Sequence, residues 1–193
     1  MATDGTSKSS VNLFNGTLVV ATDPFGADLK DAVVAQLKTI DGLMITDLGT
    51  ESYFKAAERV ARAVQDGKRN AGDLSQPETV RGLLFCGSGM GVSIIANKFE
   101  GIAAAVVENE HAARCSRAIN DSNILCLGGK VTPIQQALEI VGAWLEQGFA
   151  KAPCRNGEMG PEWWSNEVEG FLNNKWPEVH EIESASRKKI ENL

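Results

Sequence analysis

Short, almost uninterrupted apolar runs alternate along this chain with segments of helical periodicity. Segments with an apolar residue at every third or fourth position predict helices, and the short apolar runs predict strands. Strands that lack polar positions are buried on both faces, which is typical of a parallel sheet covered by helices. The predicted strands are 17–22, 43–47, 83–85, 102–107 and 124–127, the helices are 27–39, 52–65, 92–98, 110–119 and 133–147, and a polar surface loop is expected over 67–78.

This alternation predicts an α/β fold: a three-layer α/β/α sandwich around a five-stranded, parallel, Rossmann-like sheet. Residues 1–16 are polar and predict a flexible N-terminal arm before one α/β domain over 17–150. Residues 151–193 form an extension that is rich in Gly, Pro, Glu and Trp and ends in a charged helix over 177–193. We expect this extension to pack on its own domain or, through its tryptophans, on a dimer partner, because aromatic residues are enriched at interfaces.

Composition excludes several classes of function. The chain has 193 residues, of which 43% are hydrophobic, and a formal net charge of −6, which argues against nucleic acid as a partner. No apolar run approaches the roughly 20 residues that cross a bilayer, and the N-terminus has no signal-peptide core. Four cysteines without CxxC spacing favour free thiols in a reducing, cytoplasmic compartment. The sequence predicts neither a metal site nor another cofactor.

The most specific chemistry lies between the third predicted strand and its helix. The strand ends on Cys86. The turn that follows consists of Gly87, Ser88, Gly89, Met90 and Gly91. In such a turn, backbone N–H groups face an anion, and the same positive field favours the thiolate form of a nearby cysteine. The sequence therefore predicts an anion site beside a reactive thiol, the alternative being an inert buried cysteine before a tight turn.

Residues around this turn resemble one known family, the type B ribose-5-phosphate isomerases and the related galactose-6-phosphate isomerase subunits. The likeness covers residues 17–150 and is closest to a plant and bacterial branch named after a DNA-damage toleration protein. It is carried by the segment 86–98, the Asn-Asp-x-Asn motif at 120–123, the run 125–128, and Asp23 with Gly26. The resemblance implies aldose–ketose isomerisation of a phosphorylated sugar, without a cofactor, in a homodimer whose sites lie at the subunit interface.

The resemblance also implies roles for individual residues. Isomerisation moves a proton between neighbouring sugar carbons through an enediolate, so it needs a base and donors for the oxyanion. Cys86 would be the base, and Ser88 with the amides of 87–91 would stabilise the enediolate. Lys130 stands where the family has a phosphate-binding arginine from the other subunit. The other substrate-binding candidates are Asp23, Tyr53, Asn120 and His111. Asp23 could instead cap the first helix, and Asn120 could merely form a turn.

The chain departs from the family pattern at three histidines. Their positions hold Pro24, Lys55 and Ile119, the last in place of the residue that helps to open the sugar ring. Isoleucine cannot transfer protons as imidazole does. The chain is therefore expected to use an open-chain substrate such as a tetrose phosphate, to use His111 as the proton shuttle, or to have lost the activity. In the last case it would be a catalytically silent sugar-phosphate-binding or scaffold protein.

Overall fold

One parallel sheet with helices on both faces organises the chain. The computed structural model describes residues 14–70 and 79–191, without the side chains of 68–70 and 187–191. The strands are β1 Thr17–Thr22, β2 Met44–Thr50, β3 Val80–Cys86, β4 Ala104–Val106 and β5 Ile124–Gly128. The helices are α1 Ala27–Leu37, α2 Tyr53–Asn70, α3 Met90–Ala96, α4 Glu110–Asn120, α5 Ile134–Glu146, α6 Asn166–Asn174 and α7 Trp176–Glu191. The strand order is β2–β1–β3–β5–β4, and every pair is parallel.

The predicted fold class is confirmed. The bounds of β1 agree with the prediction, whereas α2 continues to Asn70, through the first residues of the expected loop. The rest of that loop, 71–78, and the first thirteen residues of the expected arm lie outside the described residues. Helix α6 was not predicted, because the segment before it is dominated by Gly, Pro and Trp, which give no helical periodicity.

Side chains of the central strands alternate between two hydrophobic layers. Val20 and Phe85 point to the layer formed with α1 and α5, which contains the fully buried Trp144. Leu84 and Cys86 point to the opposite layer, formed with α2 and α3. Cys86 therefore ends its strand on the α2/α3 face of the sheet.

The carboxyl ends of the three central strands lie side by side. Thr22 at the end of β1 is paired with Phe85, and Cys86 at the end of β3 is paired with Gly128 at the end of β5. In open parallel sheets, ligands bind beyond this edge. The loops that follow β1, β3 and β5 consequently meet above one small area of the sheet.

The second half of the C-terminal extension, with α6 and α7, contacts the opposite, amino edge of the sheet, whereas Arg155 before it pairs with Glu110 at the start of α4 at 2.6 Å. The Lys175 ammonium donates a hydrogen bond to the carbonyl of Ile119 near the end of α4 and lies 5.8 and 5.1 Å from the ring centroids of Phe149 and Trp176. Glu183 of α7 accepts a hydrogen bond from a backbone amide in the turn before β4. Since the last turn of α4 and the start of β4 both lie at the amino edge, these contacts are remote from Cys86.

Candidate active site

The turn between β3 and α3 gives the sulfur of Cys86, a residue that is 4% exposed, one backbone hydrogen-bond donor. The amide of Gly89 donates a hydrogen bond to the Cys86 sulfur at 3.1 Å, and the amide of Met90 donates to the Ser88 hydroxyl oxygen at 3.4 Å. Gly89 has a φ of +79°, a conformation that glycine adopts without steric cost. A backbone N–H directed at sulfur stabilises negative charge there, because hydrogen bonds to ionised acceptors are the stronger ones.

The turn after β5 is tied to the turn after β3 through backbone hydrogen bonds. The amide of Gly129 donates to the carbonyl of Cys86 at 2.8 Å, and that of Lys130 donates to the carbonyl of Gly87 at 2.9 Å. The Lys130 residue is exposed. The structure thus brings Lys130, a predicted anion-binding residue, to the border of the glycine turn of its own chain, whereas the resemblance implies a residue that serves the other subunit.

Asp23 lies beside the same turn and shapes the entry to α1. Its Oδ1 accepts hydrogen bonds from the amides of Phe25 at 2.9 Å and Gly26 at 3.1 Å, and its own amide donates to Phe85 at 3.1 Å. The two hydrogen bonds to Oδ1 close the turn before α1, a role similar to the helix cap that was the alternative for Asp23. Oδ2 accepts no hydrogen bond within the described part of the chain, and that oxygen is therefore available to a ligand.

Tyr53, the only tyrosine, is the first residue of α2 and lies against the glycine turn. Its ring carbons would be 3.1 and 3.3 Å from a Cβ placed on Gly91. The ring also meets Phe54 edge to face, with centroids 5.4 Å apart. Tyr53 is 43% exposed, so the structure brings it to the border of the site.

Two predicted site residues lie elsewhere in the chain. Asn120 is the last residue of α4 and lies at the amino edge of the sheet, opposite Cys86. His111 is exposed in the first turn of α4, and its Nε2 lies 3.5 Å from the sulfur of Cys115. Helix α4 follows the edge strand β4, which β5 separates from β3. Within one chain, neither side chain joins the group around Cys86.

The other residues of the Asn-Asp-x-Asn motif stabilise the fold. Asn123 accepts a hydrogen bond from the amide of Ala103 at 2.9 Å and donates to the carbonyl of Gly101 at 2.8 Å, which ties the start of β5 to the chain entering β4. Ser122 accepts a hydrogen bond from the indole of Trp144 at 2.8 Å. Asp121 pairs with Arg117 at 2.8 Å, so these contacts account for the motif without a ligand, apart from Asn120, which is exposed.

A second buried thiol lies near the first, a proximity that the sequence does not reveal. Cys126 of β5 is fully buried on the same layer as Cys86. Burial, and then the nearby Cys86, raise the pKa of the Cys126 thiol, while a hydrogen bond with Ser93 opposes them. Cys126 is therefore a protonated neighbour of the candidate base. The sequence indicates the position of Cys126 only through the alternation of side chains along β5, which puts Cys126 on the same face as Ile124.

The close approach of the loops was also missed. A Cβ on Gly26 would lie 2.8 Å from the amide nitrogen of Cys86, and one on Gly129 would lie 2.5 Å from the carbonyl oxygen of Phe25. Only glycine permits this approach. The signal in the sequence is a glycine shortly after each of the strands β1, β3 and β5. Phe25 is 63% exposed beside Gly87 and borders the site on the α1 side.

Exposed apolar side chains surround the site. They lie in the loops or first two helical turns after β1, β2, β3 and β5, and we call them the carboxyl-edge rim. The rim consists of Phe25, Tyr53, Phe54, Met90, Ile94, Val131 and Ile134. In the described residues, no group of three His, Cys, Asp or Glu side chains could hold a metal ion, and no helix is long and apolar enough to span a membrane.

The fold and this site define a parallel α/β protein with a cysteine–glycine turn at the carboxyl edge of its sheet. The sequence profile described as Ribose/Galactose Isomerase matches residues 18–157. The chain belongs to this family of sugar-phosphate isomerases, which confirms the resemblance seen in the sequence.

Three curated relatives illustrate the range of the family. The chain is 38% identical over 165 residues to the DNA damage-repair/toleration protein DRT102 of Arabidopsis thaliana, covering 86% of this chain but only 49%, about half, of that relative. It is 37% identical over 140 residues to a 4-deoxy-4-sulfo-D-erythrose isomerase of Clostridium sp. strain MSTE9, covering 69% and 81%. It is 32% identical over 139 residues to a D-erythrulose-4-phosphate isomerase of Pectobacterium atrosepticum, covering 69% and 84%.

A solved structure agrees with the fold. The ribose-5-phosphate isomerase B of Clostridium thermocellum superposes with a TM-score of 0.67 at 31% sequence identity. The match covers 88% of this chain and 99% of that one. It therefore includes part of the C-terminal extension as well as the α/β domain.

Proposed function

We propose that this chain catalyses the aldose–ketose isomerisation of a short sugar with a terminal anionic group, and that Cys86 is the base. The observation that supports this most directly is the Gly89 amide at 3.1 Å from the Cys86 sulfur, in a chain of the ribose/galactose isomerase family. A thiolate held by a backbone donor can remove a proton from a carbon next to a carbonyl group.

In the proposed reaction, Cys86 takes the proton from C2 of the open-chain aldose, and the electron pair moves into an enediolate with its charge on O1. The thiol returns the proton to C1, and the proton of the C2 hydroxyl passes to O1, so atoms and electrons balance without a cofactor. Ser88 assists at the oxygens. Because its Oγ accepts from the Met90 amide, its own hydrogen remains as a donor to the oxyanion.

The positions of the histidines favour a substrate that needs no ring opening. His111 contacts Cys115, and His180 lies against Trp176 with ring centroids 5.8 Å apart. A site without imidazole has no obvious proton shuttle for ring opening. A four-carbon sugar whose C4 carries the anionic group has no free C4 hydroxyl, so it cannot close a five-membered ring. Two relatives are named for sugars of this kind, and we propose this class rather than ribose 5-phosphate.

We further propose a homodimer with the site at the subunit interface. Asn120 lies at the opposite edge from Cys86, so it can take part only when a second copy supplies it. The carboxyl-edge rim is the kind of contiguous apolar surface that a partner covers. Asp23 and Tyr53 would then bind sugar hydroxyls, and Lys130 would bind the anionic group as a point charge.

A reducing, cytoplasmic location fits this proposal. None of the four cysteines is paired in a disulfide. A catalytic thiol beside a second buried thiol functions only while both remain reduced.

The test is proton exchange at carbon. The protein is incubated in deuterated water with D-erythrose 4-phosphate, and with ribose 5-phosphate for comparison, while NMR follows deuterium at the carbon next to the carbonyl. We expect exchange and isomerisation with the four-carbon sugar, and a loss of about 10²- to 10⁴-fold in Cys86→Ala. Cys115→Ser is the matched control, because that half-buried thiol lies on α4, and it should keep the wild-type rate.

The outcome separates the isomerase from the alternative of a silent binding protein. Tight binding of the sugar by the wild type without any exchange would leave only the binding role. Exchange that persists in Cys86→Ala would show that Cys86 is not the base, even if isomerisation is observed. Faster turnover of ribose 5-phosphate than of the four-carbon sugar would contradict the proposed substrate class.

A further inference from the structure

An ion pair formed by a buried lysine lies behind the site. Lys30, in the first turn of α1, is buried, and its ammonium binds the carboxylates of Asp47 at 2.7 Å and Asp31 at 3.0 Å. The backbone amide of Lys30 also donates to the carbonyl of Gly26 at 2.9 Å, in the turn that Asp23 closes. The residue thus connects the β1–α1 turn with the end of β2.

Asp47 passes this constraint into residues 48–52, the irregular end of β2 and the two residues before α2, which we call the β2–α2 loop. Its Oδ2 binds Lys30, while its Oδ1 accepts a hydrogen bond from the amide of Gly49 at 2.8 Å. Gly49 has a φ of +81°, so the chain turns sharply there. The carboxylate therefore holds the β2–α2 loop from the side that faces α1.

Two further contacts fix the other side of the loop. The amide of Glu51 donates to the carbonyl of Thr22 at 2.9 Å. Arg59 of α2 donates to the carbonyl of Leu48 at 3.3 Å and also pairs with the Glu51 carboxylate. With Lys30 and Asp47 on one side and these contacts on the other, the loop has little freedom to move.

The loop leads directly to Tyr53, whose ring lies against Gly91 of the glycine turn. We propose that Lys30 is a positioning residue: through Asp47 it fixes the β2–α2 loop and so holds the Tyr53 ring in place beside the Cys86 turn. Lys30 does not touch the substrate. Its kinetic consequence rests on the proposed isomerase function, whereas its effect on the loop does not.

The first test measures amide hydrogen exchange and needs no substrate. The variants are Lys30→Met, Asp47→Asn, and the control Lys38→Met, which removes an exposed cation that acts on Asp47 through its charge but makes no hydrogen bond to it. We expect exchange across 48–53 and 87–91 to be about tenfold faster in Lys30→Met and Asp47→Asn than in wild type. Lys38→Met should match wild type. Equal exchange in Lys30→Met and Lys38→Met would overturn the proposal.

The second test is a double-mutant cycle on kcat/KM between Lys30→Met and Tyr53→Ala. If Lys30 acts through Tyr53, its substitution should reduce kcat/KM about tenfold in the wild-type background and by less than about twofold in Tyr53→Ala. Lys30→Arg, which keeps the cation, should recover part of the loss. If the fold-losses in kcat/KM of the two substitutions simply multiply in the double variant, Lys30 has a general structural role and the positioning role is refuted. A wild type without turnover would instead contradict the proposed function, and the exchange experiment would still decide the role of Lys30.

Discussion

The backbone amide of Gly89 donates its hydrogen to the sulfur of Cys86 at 3.1 Å. The two residues are three positions apart, and the contact depends on a left-handed backbone at Gly89, with φ at +79°. The amide that stabilises negative charge on the thiol is thus supplied by the same turn that begins α3. The chemistry of Cys86 therefore depends on a conformation that only glycine adopts easily.

Gly89→Ala should consequently lose both stability and activity. A Cβ there would lie 3.1 Å from the carbonyl carbon of Leu127, and the left-handed conformation costs about 1–2 kcal/mol with a side chain. Urea denaturation should show this loss, and kcat should fall with it. Gly142→Ala is the control, because Gly142 lies inside α5 with nothing near its Cβ position, and it should gain about 0.5–1 kcal/mol. Unchanged kcat in Gly89→Ala would show that the amide contact is not needed.

The four cysteines should differ in their reaction with iodoacetamide at pH 8. Burial raises the pKa of the Cys126 thiol, and only the thiolate is alkylated. In native protein Cys126 should remain unmodified while the half-buried Cys154 reacts, as followed by peptide mass spectrometry. In urea all four should react at similar rates. Modification of native Cys126 as fast as Cys154 would contradict the burial seen here.

The Lys30–Asp47 pair predicts a dependence of stability on pH. Burial opposes ionisation of Asp47, but hydrogen bonds from Lys30 and from the Gly49 amide outweigh it, so the pKa of Asp47 falls below its ordinary 3.8. A carboxylate with a lowered folded pKa stabilises the fold above its unfolded pKa and loses that contribution as pH falls through the folded value. The free energy of unfolding of wild type should therefore exceed that of Asp47→Asn between pH 5 and 8, and the difference should shrink below about pH 4. A difference that stays constant down to pH 2 would refute this origin.

Lys175 should contribute to stability through the end of α4. Its ammonium binds the carbonyl of Ile119 and lies between two aromatic rings, and a charged hydrogen bond of this kind contributes about 1.5–3 kcal/mol. Thermal and urea unfolding should show Lys175→Met to be destabilised. Lys98→Met, at an exposed position in the loop after α3, should have no effect. Equal stability of the two variants would mean that the extension is held by its other contacts.

The proposed dimer can be tested by mixing two inactive variants. If Asn120 serves the site of the other subunit, a heterodimer of Cys86→Ala with Asn120→Ala has both defects in one site and an intact second site. Random assembly after joint refolding should then recover about a quarter of wild-type activity. If both residues served the same chain's site, every site in the mixture would carry one defect, and no activity would return.

Much of the fold followed from the sequence because the central strands are continuous apolar runs. The bounds of β1 could be predicted since its four central residues are apolar and all of its residues after Thr17 are buried. Helix α6 was not predicted, because it has nine residues and only three apolar positions, Val168, Phe171 and Leu172, a pattern too short to identify a helix with certainty.

The site was predictable only where its residues follow one another along the chain. Cys86 and the five residues after it form a local turn, which a strand–glycine–helix pattern reveals. Phe25 and Gly129 reach the same place through tertiary packing, which leaves no pattern in the sequence except the glycines themselves. The motif at Asn120 carries no information about which subunit's site it serves, because resemblance gives the residue and not its place in the assembly.

The arrangement of the extension has a practical consequence. Its contacts through Lys175 and Glu183 are made at the amino edge of the sheet, while Cys86 and its turn lie at the carboxyl edge. A label, a fused domain or an altered sequence placed in α6 or α7 therefore acts on the anchoring of α4 and leaves the thiol of the same chain undisturbed. The two edges can be engineered independently, one for chemistry and the other for attachment.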